Sequence, residues 1–78
     1  MTKLAIIAAA DMERILKYLG FEQKRQVGSH VFFEHPDGRC TVVPFHSTED
    51  LARGLIRKIL RDIDISPYEY ERLRQKTL

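Results

Sequence analysis

Apolar positions change their period twice along the chain. Met12, Ile15, Leu16 and Leu19 fall at i, i+3, i+4 and i+7, which gathers them on one face of an α-helix. Gly20 follows directly and predicts a left-handed helix stop. The start of this helix is poorly capped: Ala8 to Ala10 carry no side-chain acceptor, and Asp11 is the nearest one. Beyond Gly20 the period shortens. Residues 21–27, 30–35 and 39–45 form three short runs that carry β-branched and aromatic residues. Gly28 separates the first two, and Pro36-Asp37-Gly38 is a strong turn signal between the second and third. Strand alternation sets His30, Phe32 and Glu34 on one face and Val31, Phe33 and His35 on the other. In the third run Cys40, Val42 and Pro44 oppose Thr41, Val43 and Phe45. Pro44 donates no ladder hydrogen bond and belongs at a strand end or sheet edge.

Helical period returns with Leu51, Leu55, Ile56, Ile59, Leu60 and Ile63 on one broad apolar face. Thr48 or Asp50 is the expected cap. Gly54 falls in the first turn, where glycine costs less than in mid-helix. A short third helix is predicted after Ser66-Pro67-Tyr68-Glu69: Ser66 caps, Pro67 fits the first helical position, and Glu69 completes a capping box. The polar stretch beyond Leu73 is expected to fray.

The resulting order is α-β-β-β-α plus a short helix, an α+β fold. Two amphipathic helices need a shared surface, and one face of a three-stranded antiparallel meander supplies it. The opposite face is left open to solvent and ligands. With 78 residues, the chain reads as one domain, 1–78, too small for a deep cofactor pocket. Hydrophobic residues at 44% and charged residues at 31% point to a globular chain. Residues 1–10 have one lysine, an apolar run and small residues, the ingredients of a signal peptide. The run is at the lower length limit and Asp11 follows at once, so the segment reads as extended and partly buried. No stretch approaches the length of a membrane span. The single cysteine, Cys40, is expected to pack as a small apolar residue in a reducing, cytosolic setting. A net charge of +2 is too mild to establish a nucleic-acid partner, so the distribution of charge has to carry that argument.

Three groupings of residues carry candidate chemistry. Lys24-Arg25-Gln26-Val27-Gly28-Ser29-His30 puts two cations, a glycine turn, a hydroxyl and an imidazole in one hairpin. Histidine exchanges protons near neutral pH. In phosphodiester cleavage of RNA, a base removes the 2′-hydroxyl proton and cations stabilise charge developing on phosphorus. Gly-Ser-His is a weak motif by itself, and a polar hairpin with a solvated histidine accounts for the same spacing. Arg53, Arg57 and Arg61 form a stripe opposite the apolar face of their helix, with Lys58 beside it. The stripe suits a phosphate backbone, and equally an ordinary solvated face. His30, His35, Cys40 and His46 are metal-ligand types, but alternation points His30 and His35 to opposite faces and no zinc-type spacing is present. Phe32, Phe33 and Phe45 are of the type that stacks on bases, but alternation makes at least one of Phe32 and Phe33 core, and with so few large apolar residues core is the default for most of them. Tyr68 and Tyr70 read as packing or partner contacts.

Taken in order, these segments resemble the HicA family, small mRNA-interferase toxins of prokaryotic toxin–antitoxin pairs. The resemblance spans 3–73 and rests on Leu19-Gly20-Phe21, Arg25-Gln26-Val27-Gly28-Ser29-His30, His35-Pro36-Asp37-Gly38, Val42-Val43-Pro44-Phe45-His46, Leu51 and the stretch from Gly54 to Leu60. Each piece is weak alone; their order and spacing together are specific. The chain departs from the family pattern at Ala8-Ala9, where Ser-Gly is common, and at Arg53-Gly54-Leu55, where Pro-Gly-Thr is common. The resemblance implies a fold like that of double-stranded-RNA-binding domains and RNA cleavage without a metal cofactor. It further implies His30 as the catalytic residue and a HicB-type antitoxin covering the active surface. In that reading Lys24 and Arg25 steady the phosphate and Ser29 orients His30 or the substrate, roles drawn from proximity. Two other readings stand beside it: a non-catalytic RNA-binding module using Arg53, Arg57 and Arg61, and a protein-interaction domain that has lost activity.

Overall fold

A three-stranded sheet, its strands hydrogen-bonded in chain order, forms the floor of the molecule. In the computed structural model, which describes residues 4–46 and 49–78, the elements run α1 (Ala9–Tyr18), β1 (Glu22–Val27), β2 (His30–Glu34), β3 (Cys40–Pro44), α2 (Arg53–Asp62) and α3 (Pro67–Thr77). The architecture is α+β with an antiparallel meander, consistent with the double-stranded-RNA-binding-like arrangement that the family resemblance implies.

Alternation decides which sheet face is covered. Val31, Phe33, Thr41 and Val43 are buried. Their strand neighbours His30, Glu34 and Cys40 are exposed, and Phe32, Val42 and Pro44 are half-buried. On the covered side α1 contributes Met12, Ile15 and Leu16, and α2 contributes Ile56, Ile59 and Leu60, all buried. Each aliphatic side chain of this size stabilises the fold by about 1.5–3 kcal/mol when taken fully from water. The helices lie over β3 and β2 and leave β1 outside, so all six residues of β1 are exposed. β1 is an edge strand with three charged residues and a register shift between Gln23 and Arg25, features that discourage pairing with another chain. Pro44 ends β3 on the opposite edge, where a missing N–H leaves no ladder gap.

Turn chemistry fixes the joints. Gly20 ends α1 with φ +100°, a conformation favoured by glycine. Asp37 accepts from the Arg39 N–H, and this bond holds its carboxyl below the usual aspartate value. The same carboxylate pairs with the Arg39 guanidinium, which also donates to the Ile63 carbonyl and lies over the Phe21 ring. The β2–β3 turn is thus tied to the end of α2.

The described part of the N-terminal segment is extended and partly buried. Leu4 and Ile7 are core, the Leu51 N–H donates to the Ile7 carbonyl, and Ala8 pairs with Asp50. Residues 1–3 lie outside the described residues. Tyr70 on α3 is buried and its hydroxyl donates to the Ala5 carbonyl at 2.6 Å; burial pushes the phenol up to about 12.

Three expectations need correction. Asp50 does not cap α2: the N-cap is Ala52, without a side-chain bond, because Asp50 is held in the bridge to Ala8. Thr48, the other expected cap, lies outside the described residues. The chain beyond Leu73 stays helical to Thr77, held by Arg74–Glu71 pairing and by the Thr77 hydroxyl bonding to the Leu73 carbonyl. Cys40 is exposed, since strand parity puts it on the uncovered face. At α3, Ser66 accepts from the Glu69 N–H as expected, which supplies one half of the proposed box.

Candidate functional site

Directly paired residues of an antiparallel sheet share a face. The uncovered face therefore carries Val27 and Arg25 from β1, His30, Phe32 and Glu34 from β2, and Pro44, Val42 and Cys40 from β3. His30 opens β2 immediately after the Gly28-Ser29 turn. It is exposed, with Val27 opposite on one side and Pro44 on the other. Gly28 has φ +59°, which lets the chain reverse within two residues, and the Gln26 side chain donates to its carbonyl.

Arg25 is a cation on the same face. Its guanidinium lies 4.4 Å from the centroid of Phe32, a cation–π contact that holds the group against the sheet. Phe32 is two residues along β2 from His30, a same-face step of roughly 6.6 Å. Lys24 occupies the shifted position in β1 and pairs with Glu22 at 3.5 Å. Both cations border a groove of about 410 Å³ whose floor is Phe32, Val42 and Cys40 and whose far wall includes Lys58 and Asp62. Asp62 accepts from the Thr41 hydroxyl and from Lys58.

The arginine stripe lies elsewhere. The exposed Arg53, Arg57 and Arg61 share a helix side, but Arg53 donates to the Leu4 carbonyl at 2.9 Å. Arg57 and Arg61 border a hollow with Leu4, Ile65 and Pro67. Lys58, grouped with them in the sequence, instead faces the open groove. The structure thus brings Lys24, Arg25, Ser29 and His30 to one hairpin and leaves Arg53, Arg57 and Arg61 on another surface.

The remaining two histidines differ from His30. His35 is half-buried, with its ring edge-on to Phe21. The Asp37 N–H donates to its Nδ1, which leaves the proton of a neutral ring on Nε2, 3.1 Å from the Leu19 carbonyl. Asp37 Oδ1 also stands 3.1 Å from Nδ1, a contact that becomes a true ion pair only if the ring is doubly protonated. His46 is exposed just beyond β3. Among the described residues no three His, Cys, Asp or Glu side chains are grouped to hold a metal ion. No helix among them is long and apolar enough to cross a membrane.

Sequence reasoning did not find the Arg25–Phe32 stack or the locking of His35. Register hidden in a β-bulge produces the first, and a contact between the end of α1 and the end of β2 produces the second.

No curated protein matches this chain. The family described as "HicA toxin of bacterial toxin-antitoxin" does match, over residues 9–65, from the first turn of α1 to just past α2. That span includes the whole sheet, both helices that cover it and the Gly28-Ser29-His30 turn, and the chain belongs to the HicA toxin family.

Proposed function

We propose that this toxin acts by cutting messenger RNA, with His30 as a proton-transferring catalytic residue and no metal cofactor. The observation that carries the reading is an exposed imidazole on the uncovered sheet face, with a guanidinium on the same face stacked on Phe32, the next same-face residue of β2. In the proposed reaction the 2′-oxygen of the RNA attacks its own phosphorus. An imidazole takes or supplies a proton, and Arg25 and Lys24 balance the charge gathering on the phosphoryl oxygens. Ser29 precedes His30 in the turn and orients the ring or the substrate.

A toxin–antitoxin family implies a partner, and we infer that a HicB-type antitoxin masks the uncovered face. Val27 and Phe32 give that face an apolar component, which a protein cover would bury. A cytosolic location follows from the mRNA substrate. The competing reading, a non-catalytic RNA-binding module, draws on Arg57 and Arg61, which lie on a surface separate from His30.

The test is RNA cleavage by purified parent and His30→Ala, each with and without chelator, beside a thermal melt. The expected loss is about 10²–10⁴ in rate with an unchanged melt, and chelator leaves the parent active. A folded His30→Ala that cuts at the parental rate removes His30 from the chemistry. Inhibition of the parent by chelator removes the metal-free mechanism. A parent that binds RNA without cutting it favours the binding-module reading.

A further inference from the structure

We propose that His46 is the second proton-transfer group of this site, delivering a proton to the leaving oxygen while His30 receives one from the attacking oxygen. The inference rests on the ribonuclease reading and adds a residue to it.

The first argument is register. His30 pairs with Pro44, and the Phe45 N–H donates to the Ser29 carbonyl at 2.7 Å, which carries the same ladder one residue past the end of β3. The next step in that register sets His46 opposite Gly28. Phe45 packs against the core, so in an extended chain its neighbours Pro44 and His46 turn the other way, toward the face that holds His30. Same-face residues on a diagonal of an antiparallel pair have their side chains about 7–8 Å apart. Two imidazoles at that spacing can flank one phosphodiester.

The second argument is elimination among the histidines. The chain has three. His35 has both ring nitrogens engaged with backbone of the β2–β3 turn and the end of α1. His46 is exposed, and it borders a hollow of about 540 Å³ with Phe45, Glu49, Asp50 and the start of α1. Its backbone is held on both sides, by the Phe45–Ser29 bond and by the Glu49 N–H, which donates to the His46 carbonyl. The ring is exposed while its backbone anchor is fixed. Glu49 and Asp50 line the same hollow as His46, whereas Arg25 shares the open sheet face with His30. In the proposal His46, beside these carboxylates, is the acid, and His30, beside the cation, is the base.

The step balances as follows. The 2′-O–H proton passes to neutral His30 as the 2′-oxygen forms a bond to phosphorus. The bond from phosphorus to the 5′-oxygen breaks, and that oxygen takes the proton of the His46 imidazolium. The products are a 2′,3′-cyclic phosphate and a 5′-hydroxyl, and exchange with water restores both rings.

The test compares two RNA oligonucleotides that differ in one atom. The cleavage site is first mapped with the parent protein. The leaving 5′-oxygen there is then replaced by sulfur, whose thiol pKa of about 8.5 lets it depart without a proton. His46→Ala is expected to cut the oxygen substrate about 10²–10⁴-fold more slowly than the parent, and the sulfur substrate within about tenfold of the parental rate, roughly 1.4 kcal/mol of barrier. His30→Ala is expected to be slow on both. His46→Gln, which keeps a polar side chain, serves if the alanine variant melts early. Parental cutting of the oxygen substrate by a folded His46 variant overturns the proposal, as does an equal loss on both substrates. In either case an inactive His30→Ala leaves the ribonuclease reading standing. Failure of the parent to cut RNA overturns both.

Discussion

A histidine stands at either end of β2, and the two have opposite surroundings. His30 is exposed on the uncovered face. Five residues on, parity turns His35 toward the helices. There Phe21 meets its ring, the Asp37 N–H reaches Nδ1 and the Leu19 carbonyl stands against Nε2. The same side chain is a structural pin at one end of the strand and a candidate proton carrier at the other. The difference comes from which sheet face the helices cover, together with strand parity. An imidazole is available for chemistry only where the backbone has not already occupied its nitrogens.

Truncating a residue under the covered face is the largest perturbation that tests this contrast. Ile59→Ala removes a fully buried side chain and should cost about 2–5 kcal/mol. In a domain of this size that lowers the melting midpoint by more than about 10 °C. Val27→Ala, on the open face and 59% exposed, should stay within about 0.5 kcal/mol of the parent. Comparable melts for the two variants would contradict the division into a covered and an open face.

The next effect concerns the His35 end alone. A Cβ at Gly20 would sit 3.1 Å from His35 Nε2, on a backbone with φ +100°. Gly20→Ala should therefore cost about 1–3 kcal/mol and loosen the ring. At Gly28, φ is +59° and nothing lies within 4 Å, so Gly28→Ala meets only the left-handed backbone penalty of about 1–2 kcal/mol. Chemical denaturation of both resolves the order, and a Gly28 variant the less stable of the two would break the argument.

The smallest effect is one of pH. Asp37 titrates below its ordinary value of 3.8 because the Arg39 N–H and guanidinium hold its charged form. The unfolded chain takes up that proton first as pH falls. The contribution is thus complete above the unfolded value and is lost through the lower, folded one. Asp37→Asn should flatten the decline of melting temperature below about pH 4, and identical acid slopes would contradict this assignment.

Much of this organisation was legible in local patterns. Alternation in residues 30–35 separated His30 from Val31 and Phe33, and Gly20 and Ser66 marked helix ends by their own chemistry. What stayed hidden depends on distant partners. The chain after Leu73 is polar, yet Glu71, Arg74 and Thr77 bond within the helix and Tyr70 anchors it to Ala5. Asp50 has the chemistry of a cap, but its pairing with Ala8 takes it away from α2. Arg53, Arg57 and Arg61 have the spacing of a nucleic-acid stripe, but only the fold reveals that they lie apart from the His30 hairpin. Helix period specifies a face and says nothing of what that face adjoins.

The central claim is that His30 acts in chemistry and His35 in structure. It is tested most directly by measuring RNA cleavage per folded molecule and the melting temperature on the same preparations of parent, His30→Ala and His35→Ala. His30→Ala is expected to lose about 10²–10⁴ in rate with an unchanged melt. His35→Ala is expected to keep the parental rate with stability lowered by about 1–3 kcal/mol. A His35 variant that melts like the parent but no longer cuts RNA, beside a fully active His30 variant, would reverse the assignment and contradict the account.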